Sequence, residues 1–271
     1  MSTDVSICRD VFSIYTAGHR LRAEFIRPRV NATKSARPAL VFLHEGLGSI
    51  GQWRDFPEKL CAATGCQALV YDRRGHGGSD PLTEPRKPDY LHEEALISLP
   101  AILEQCGLEK HVLIGHSDGG SIALIFAGAY PQRVTGIVTE AAHVFVEDIT
   151  VEGIKRAVET YETTDLKKRL TRFHGHNTEL MFRGWADIWL SPDFRDWNIE
   201  EYPPDITCPL LVIQGKDDEY GTPAQVEAIV GKAGGPSRRM LIDDCGHVPH
   251  LQARDRVFSE MVNFISGLVQ D

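Results

Sequence analysis

No uncharged apolar run in this chain approaches the roughly 20 residues that a helix needs to cross a bilayer, so no membrane association is expected. Long runs of Lys or Arg are also missing, and a net charge of -9 over 271 residues offers no basic face to attract phosphate groups. Nucleic acid is therefore not an expected partner. The six cysteines (Cys8, Cys61, Cys66, Cys106, Cys208 and Cys245) include no CxxC pair and form no compact framework. That argues against a disulfide scaffold and fits reduced thiols in a cytoplasmic protein. An N-terminal leader is not expected either, because Asp4, Arg9 and Asp10 interrupt the apolar core of a signal peptide. The chain has no internal repeat and no low-complexity tract.

What is present is an ordinary globular composition, 42% hydrophobic and 25% charged, in a chain long enough to bury a large core. The stretches "DVFSIYTAG" and "HRLRAEFIRP" meet at Ala17-Gly18 and predict an antiparallel hairpin, followed by a polar link, "RVNATKSARP". Beyond it, "ALVFLHEG" (39–46), "QALVYDRRG" (67–75), "HVLIGHS" (111–117) and "RVTGIVTEAA" (133–142) alternate with helical patterns. Short Val/Ile/Leu runs of this kind predict a mostly parallel central sheet flanked by helices, an α/β fold.

The alternation stops near Phe145 and resumes near Asp205. In between, three stripes fall at helical spacing: Ile154, Val158 and Tyr161; Leu166, Leu170 and Phe173; Met181, Trp185, Ile188 and Trp189. Then "PLLVIQGKDDEYG" (209–221) and "RRMLIDDCGH" (238–247) restore the pattern, and Val257, Met261, Phe264, Ile265 and Leu268 mark a last helix. The expected organisation is an α/β core over 1–145 and 206–271, with a helical cap inserted at 146–205.

Gly115-His116-Ser117-Asp118-Gly119 satisfies G-x-S-x-G between a predicted strand and a predicted helix. A turn that sharp needs small flanking residues, because a Cβ there would strike neighbouring backbone, and it thrusts the serine out as a nucleophile. A serine hydroxyl attacks only when a base takes its proton. His247 in "DDCGHVPH" is the preferred base, with His250 as its rival at the start of a helix. The base needs an acid to hold its tautomer, and "QGKDDEYG" offers Asp218, with Asp217 as the fallback. The chain order Ser, Asp, His favours this set.

With these residues in place, the chain resembles the α/β-hydrolase superfamily over nearly its whole length. "VFLHEGLGS", "YDRRGHGGSD", the elbow, the acid loop and the terminal Gly-His carry the resemblance. "YDRRGHGGS" looks like the family's D-x-R-G-x-G-x-S turn, here read as structural support. The resemblance implies an oxyanion hole from the backbone N–H groups of Asp118 and Gly46. It also implies hydrolysis through an acyl-enzyme, without metal or organic cofactor. One departure is His44-Glu45 where relatives often carry His-Gly. The Ser-Asp-Gly-Gly elbow looks like the valacyclovir-hydrolase (biphenyl-hydrolase-like) branch, which acts on amino-acid esters. Meta-cleavage-product C–C hydrolases share the cap and triad.

The expected activity is therefore serine hydrolysis of small carboxylic esters or related acyl compounds. C–C bond cleavage and thioester hydrolysis with the same triad stay open, as does a non-catalytic receptor on this fold. Glu45, His116, Phe182, Trp185 and Trp189 are candidate pocket residues, which would suit a small apolar or aromatic substrate. Ser121 reads as structural, and His174 and His176 as surface or pocket residues, not metal ligands. The natural substrate stays undetermined, as does the oligomeric state, for which a homodimer is one option. So do the side-chain roles of Asp118 and Glu45, whose carboxylates would suit a cationic or hydrogen-bond-donating substrate.

Overall fold

The computed structural model describes residues 6–29 and 37–269; Asp4 and 30–36 of the polar link lie outside the described residues. The chain opens with a hairpin of β1 (Ile7–Thr16) and β2 (His19–Pro28). Ala17 and Gly18 both have positive φ at its turn (49° and 78°), the twist that matches flanking strands. Then come β3 (Ala39–Leu43), α1 (Phe56–Thr64) and β4 (Ala68–Tyr71). Next, α2 (Tyr90–Glu93) runs through one wide turn, Glu94–Ser98, into α3 (Leu99–Gln105). The central units are β5 (His111–His116), α4 (Asp118–Ala129) and β6 (Val134–Glu140).

Helices alone follow: α5 (Asp148–Thr163), α6 (Leu166–His174) and α7 (Thr178–Leu190), with short turns between them. The chain closes with β7 (Leu210–Gly215), α8 (Pro223–Lys232), β8 (Ser237–Ile242), α9 (Pro249–Gln252) and α10 (Arg254–Val269).

The eight strands form one sheet in the order β1-β2-β4-β3-β5-β6-β7-β8. The pairs β1–β2 and β2–β4 are antiparallel and all others parallel. Residues on β3 alternate between two cores: Ala39, Val41 and Leu43 belong to the one shared with α3, α4 and α8, whereas Leu40 and Phe42 belong to the one shared with α1 and α10. Each fully buried Leu, Ile or Phe contributes about 1.5–3 kcal/mol, against roughly 0–1 for a surface ion pair. The two apolar faces therefore fix the strand ends. After β3 the chain crosses to β4 on one side, and β5 then joins on the other. That reversal leaves a crevice at the carboxyl ends of β3 and β5, where Leu43 pairs with Gly115.

The helices after β6 bury their apolar residues in the same core as α4 and the sheet. Phe182 stacks on Tyr161 (centroids 3.7 Å apart, 9° between planes), and Phe194 stacks on Trp197. His174, expected to be a surface or pocket residue, does not lie at the surface. It is buried, its Nδ1 accepts from Gly77 N at 3.0 Å, and its Nε2 lies 3.0 Å from Leu47 O. It thus ties α6 to two loops at the crevice.

Candidate active site

Ser117 joins β5 to α4 with φ 52° and ψ −117°, a conformation that costs a non-glycine residue about 1–3 kcal/mol. Its backbone is held from both sides: Ser117 N donates to Glu140 O (2.8 Å), and Ser117 O accepts from Gly120 N (2.8 Å) and Ser121 N (3.1 Å). The flanking glycines are required by space. A Cβ on Gly115 would lie 2.2 Å from Gly119 O, and one on Gly119 would lie 1.9 Å from Leu43 O.

The loops after β7 and β8 bring Asp218 and His247 together. His247 Nδ1 lies 2.8 Å from Asp218 Oδ1 and 3.0 Å from Oδ2, with both side chains buried. Tyr220 N donates to Asp218 Oδ1 (2.9 Å) and fixes the carboxylate. Burial works against both charges, and mutual attraction outweighs it. The imidazole ends above its ordinary 6.5, helped next by Glu45 and Glu219, and the carboxyl ends below its ordinary 3.8. Asp217, the fallback acid, points to solvent. His250, the rival base, sits in α9, where its N (2.8 Å) and Nδ1 (3.2 Å) both face Glu140 Oε2.

Ser117 and His247 line one cavity with Glu45, Leu47, His143, Thr150, Ile154, Trp185, Trp189 and Tyr220. It encloses about 360 Å³ free of atoms, its open mouth included. No hydrogen bond within 3.5 Å joins the Ser117 hydroxyl to His247 among the described residues; such contacts often tighten only with substrate bound. Of the candidate pocket residues, Glu45, Trp185 and Trp189 face this cavity. Phe182 does not, being sealed in the core between α5 and α7. Nor does His116, which lies beneath the elbow with its Nε2 donating to His247 O at 2.7 Å, and so supports the histidine loop. Burial keeps that imidazole far below 6.5 and neutral. Ser121 donates to His143 O (2.6 Å) and accepts from His143 N (3.3 Å), which accounts for its place in α4.

The side chain of Asp118 turns away from the cavity. Its Oδ2 meets Arg73 Nη2 (3.2 Å) and Tyr90 OH (2.9 Å), and Tyr90 OH in turn accepts from Trp189 Nε1 (2.8 Å). Oδ2 of Asp118 is thus matched internally, which leaves Glu45 as the carboxylate that lines the cavity. Within the "YDRRGHGGSD" turn, Asp72 accepts from Ile50 N (2.7 Å) and Gly78 N (2.9 Å), a purely architectural use. Sequence reasoning missed Arg73, Tyr90, Glu140 and His143. An arginine two residues past one apolar strand and an acid ending another were the available signals for Arg73 and Glu140.

Comparison with known proteins gives the context for this geometry. A model of the alpha/beta hydrolase family matches residues 40–260. A Klebsiella pneumoniae 2-hydroxy-6-oxononadienedioate/2-hydroxy-6-oxononatrienedioate hydrolase is 24% identical, covering 89% of this chain and 91% of that protein. A proline iminopeptidase of Saccharolobus solfataricus is 25% identical over 86% of each chain. A mouse sn-1-specific diacylglycerol lipase, ABHD11, is 37% identical, but the match spans only 37% of this chain and 31% of that protein. Among solved structures, a thermophilic esterase from Thermogutta terrifontis superposes with a TM-score of 0.71 at 21% identity, covering 96% of this chain and all (100%) of its own.

Proposed function

The chain belongs to the alpha/beta hydrolase family, and from that premise we propose a serine hydrolase of small carboxylic esters or related acyl compounds. In this reading Ser117 attacks the carbonyl carbon while His247 Nε2 takes its proton. Asp218 holds the proton on Nδ1 and stabilises the imidazolium that forms. The amides of Gly46 and Asp118 receive the oxyanion, each donor worth roughly 3–4 kcal/mol in such sites. The intermediate collapses to an acyl-enzyme as His247 returns its proton to the leaving alkoxide. Water, activated by the same imidazole, then releases the acid. Residues 146–205 act as the cap, and Trp185 and Trp189 wall a compact acyl site.

The observation that carries this reading is the buried Asp218–His247 pair opening on the same cavity as the strained Ser117. A non-catalytic receptor has no use for an acid clamped on a base. The Klebsiella relative supports a second reading with the same residues, cleavage of a C–C bond in a ring-fission dienone. A panel of aryl and alkyl esters, an acyl thioester and such a dienone, run with wild type and Ser117→Ala, separates these. Esters should be turned over fastest, with all turnover lost in the variant. Preference for the dienone would move the assignment to C–C cleavage, and undiminished turnover in Ser117→Ala would end both readings.

A further inference from the structure

Arg73 has no part in the triad, yet it is fully buried, at 0% exposure, directly behind the cavity. Stripping water from a guanidinium is costly unless anions and acceptors replace it. Its Nη2 finds two: Asp118 Oδ2 at 3.2 Å and Glu45 O at 2.8 Å. Each belongs to an oxyanion donor. Asp118 carries one of the amides, and Glu45 O is the carbonyl of the peptide unit whose N–H is that of Gly46. A trans peptide keeps C=O and N–H antiparallel, so drawing this carbonyl toward Arg73 turns Gly46 N–H the other way.

Two further donors reach the same oxygen. Gly48 N lies 3.1 Å from Glu45 O, and His44 Nδ1 lies 2.7 Å from it. The proton of His44 is on Nδ1, because its Nε2 accepts from Arg73 N (3.0 Å) and because burial, then the Arg73 charge, holds the ring neutral. Arg73 therefore orders this carbonyl twice, through its side chain and, via His44, through its backbone. Hydrogen bonds to a carbonyl polarise the peptide and strengthen its N–H as a donor. Gly46 is pinned from its other end as well. His76 Nε2 lies 3.0 Å from Gly46 O, and the Trp185 indole packs where a Cβ would sit, 2.2 Å away.

We propose that Arg73 is a positioning residue that aligns both oxyanion amides from behind. It fixes the Glu45–Gly46 peptide through its carbonyl and the Asp118 end of α4 through its carboxylate. The proposal rests on the serine-hydrolase reading above. A merely structural arginine would support folding and affect ground-state and tetrahedral ligands alike. A positioning arginine acts where negative charge develops.

The test uses the full chain with 4-nitrophenyl butyrate as substrate, an alkyl trifluoromethyl ketone as tetrahedral mimic and butyramide as uncharged ground-state ligand. In Arg73→Met, kcat should fall roughly 30-fold, short of the 10²–10³ that outright loss of a donor costs, with KM within about threefold. Affinity for the ketone should fall in parallel with kcat, butyramide affinity should hold within about threefold, and Arg73→Lys should recover part of the loss. A folded Arg73→Met with wild-type kcat and ketone affinity overturns the proposal, as does an equal loss for ketone and butyramide. If Arg73→Met does not fold, the isosteric Asp118→Asn carries the test: the same split between ketone and butyramide supports the proposal, and an unchanged ketone affinity overturns it. Turnover surviving in Ser117→Ala marks failure of the underlying reading instead.

Discussion

Replacing Asp218 by Asn removes a charge and leaves the volume nearly unaltered, which isolates what the carboxylate does. Both carboxylate oxygens of Asp218 lie within 3.0 Å of His247 Nδ1, and Tyr220 N donates to Oδ1 from the other side at 2.9 Å. An Asn amide would keep its carbonyl toward Tyr220 N–H and turn its NH2 toward His247. Nδ1 must then accept, so the proton moves to Nε2, the nitrogen that receives the Ser117 proton in the proposed mechanism. In the serine-protease template this wrong tautomer lowers kcat by about 10⁴, which is about 5.4 kcal/mol at 1.36 per decade.

The pH dependence follows from the same pair. In the proposed mechanism His247 acts as the neutral base, and its pKa is above 6.5, because burial lowers it less than Asp218, Glu45 and Glu219 together raise it. The acid limb of kcat/KM should therefore lie above pH 6.5 in wild type and move down in Asp218→Asn, where burial stays and the strongest opposing charge is gone. Stability obeys linkage. The depressed Asp218 carboxyl contributes above its unfolded value of 3.8 and loses that contribution as pH falls through its folded value. The raised His247 contributes below 6.5 and loses that contribution as pH rises through its folded value. Thermal melts should thus show the largest gap between wild type and variant from about pH 4 to 6.5, narrowing at pH 9. Ester hydrolysis from pH 5 to 9 is the assay. A kcat within tenfold of wild type, or an unmoved acid limb, would refute the assignment of Asp218.

Phe182→Ala should destabilise the fold by about 3–5 kcal/mol, read in denaturant unfolding, because the ring is fully buried against Tyr161; a selective loss of kcat at unchanged stability would return Phe182 to the substrate site. Glu45 lines the cavity with no hydrogen bond to its carboxylate among the described residues, and burial raises its pKa against the pull of His247 and His250. Glu45→Gln should therefore cut kcat/KM on an amino-acid ester about tenfold more than on its des-amino isostere, at roughly 1.4 kcal/mol for a partly screened ion pair. Equal losses on both esters would leave the side chain without a selecting role. Gly46→Ala should abolish turnover by displacing Trp185, whose Cδ1 would lie 2.2 Å from the new Cβ. The variant should still melt as a folded protein, and full activity would show that the loop yields freely.

The inner parallel strands β3 and β4 were legible because each is buried on both faces and so reads as an unbroken apolar run, "ALVFL" and "ALVY". The elbow was legible because Gly115 and Gly119 are demanded by backbone contacts that a local motif can encode. Asp218 and His247 were found through their positions after β7 and β8, since loops at one sheet edge converge whatever their separation in sequence. Arg73, Tyr90 and Glu140 escaped notice for the opposite reason. Their roles come from pairing across 45, 28 and 110 residues, with no local pattern to mark them. Phe182 and Trp185 share a helix and an aromatic side chain, and only the packing of α5 against α7 decides that one faces Tyr161 and the other Gly46.

The central claim is that Ser117 forms the acyl-enzyme, and a covalent trap tests it most directly. The protein would be incubated with an alkyl fluorophosphonate, weighed intact and mapped by peptide mass spectrometry. One adduct per chain is expected, on the peptide containing Ser117, and none in Ser117→Ala. Labelling at another residue, or turnover of 4-nitrophenyl esters that survives in Ser117→Ala, would contradict it.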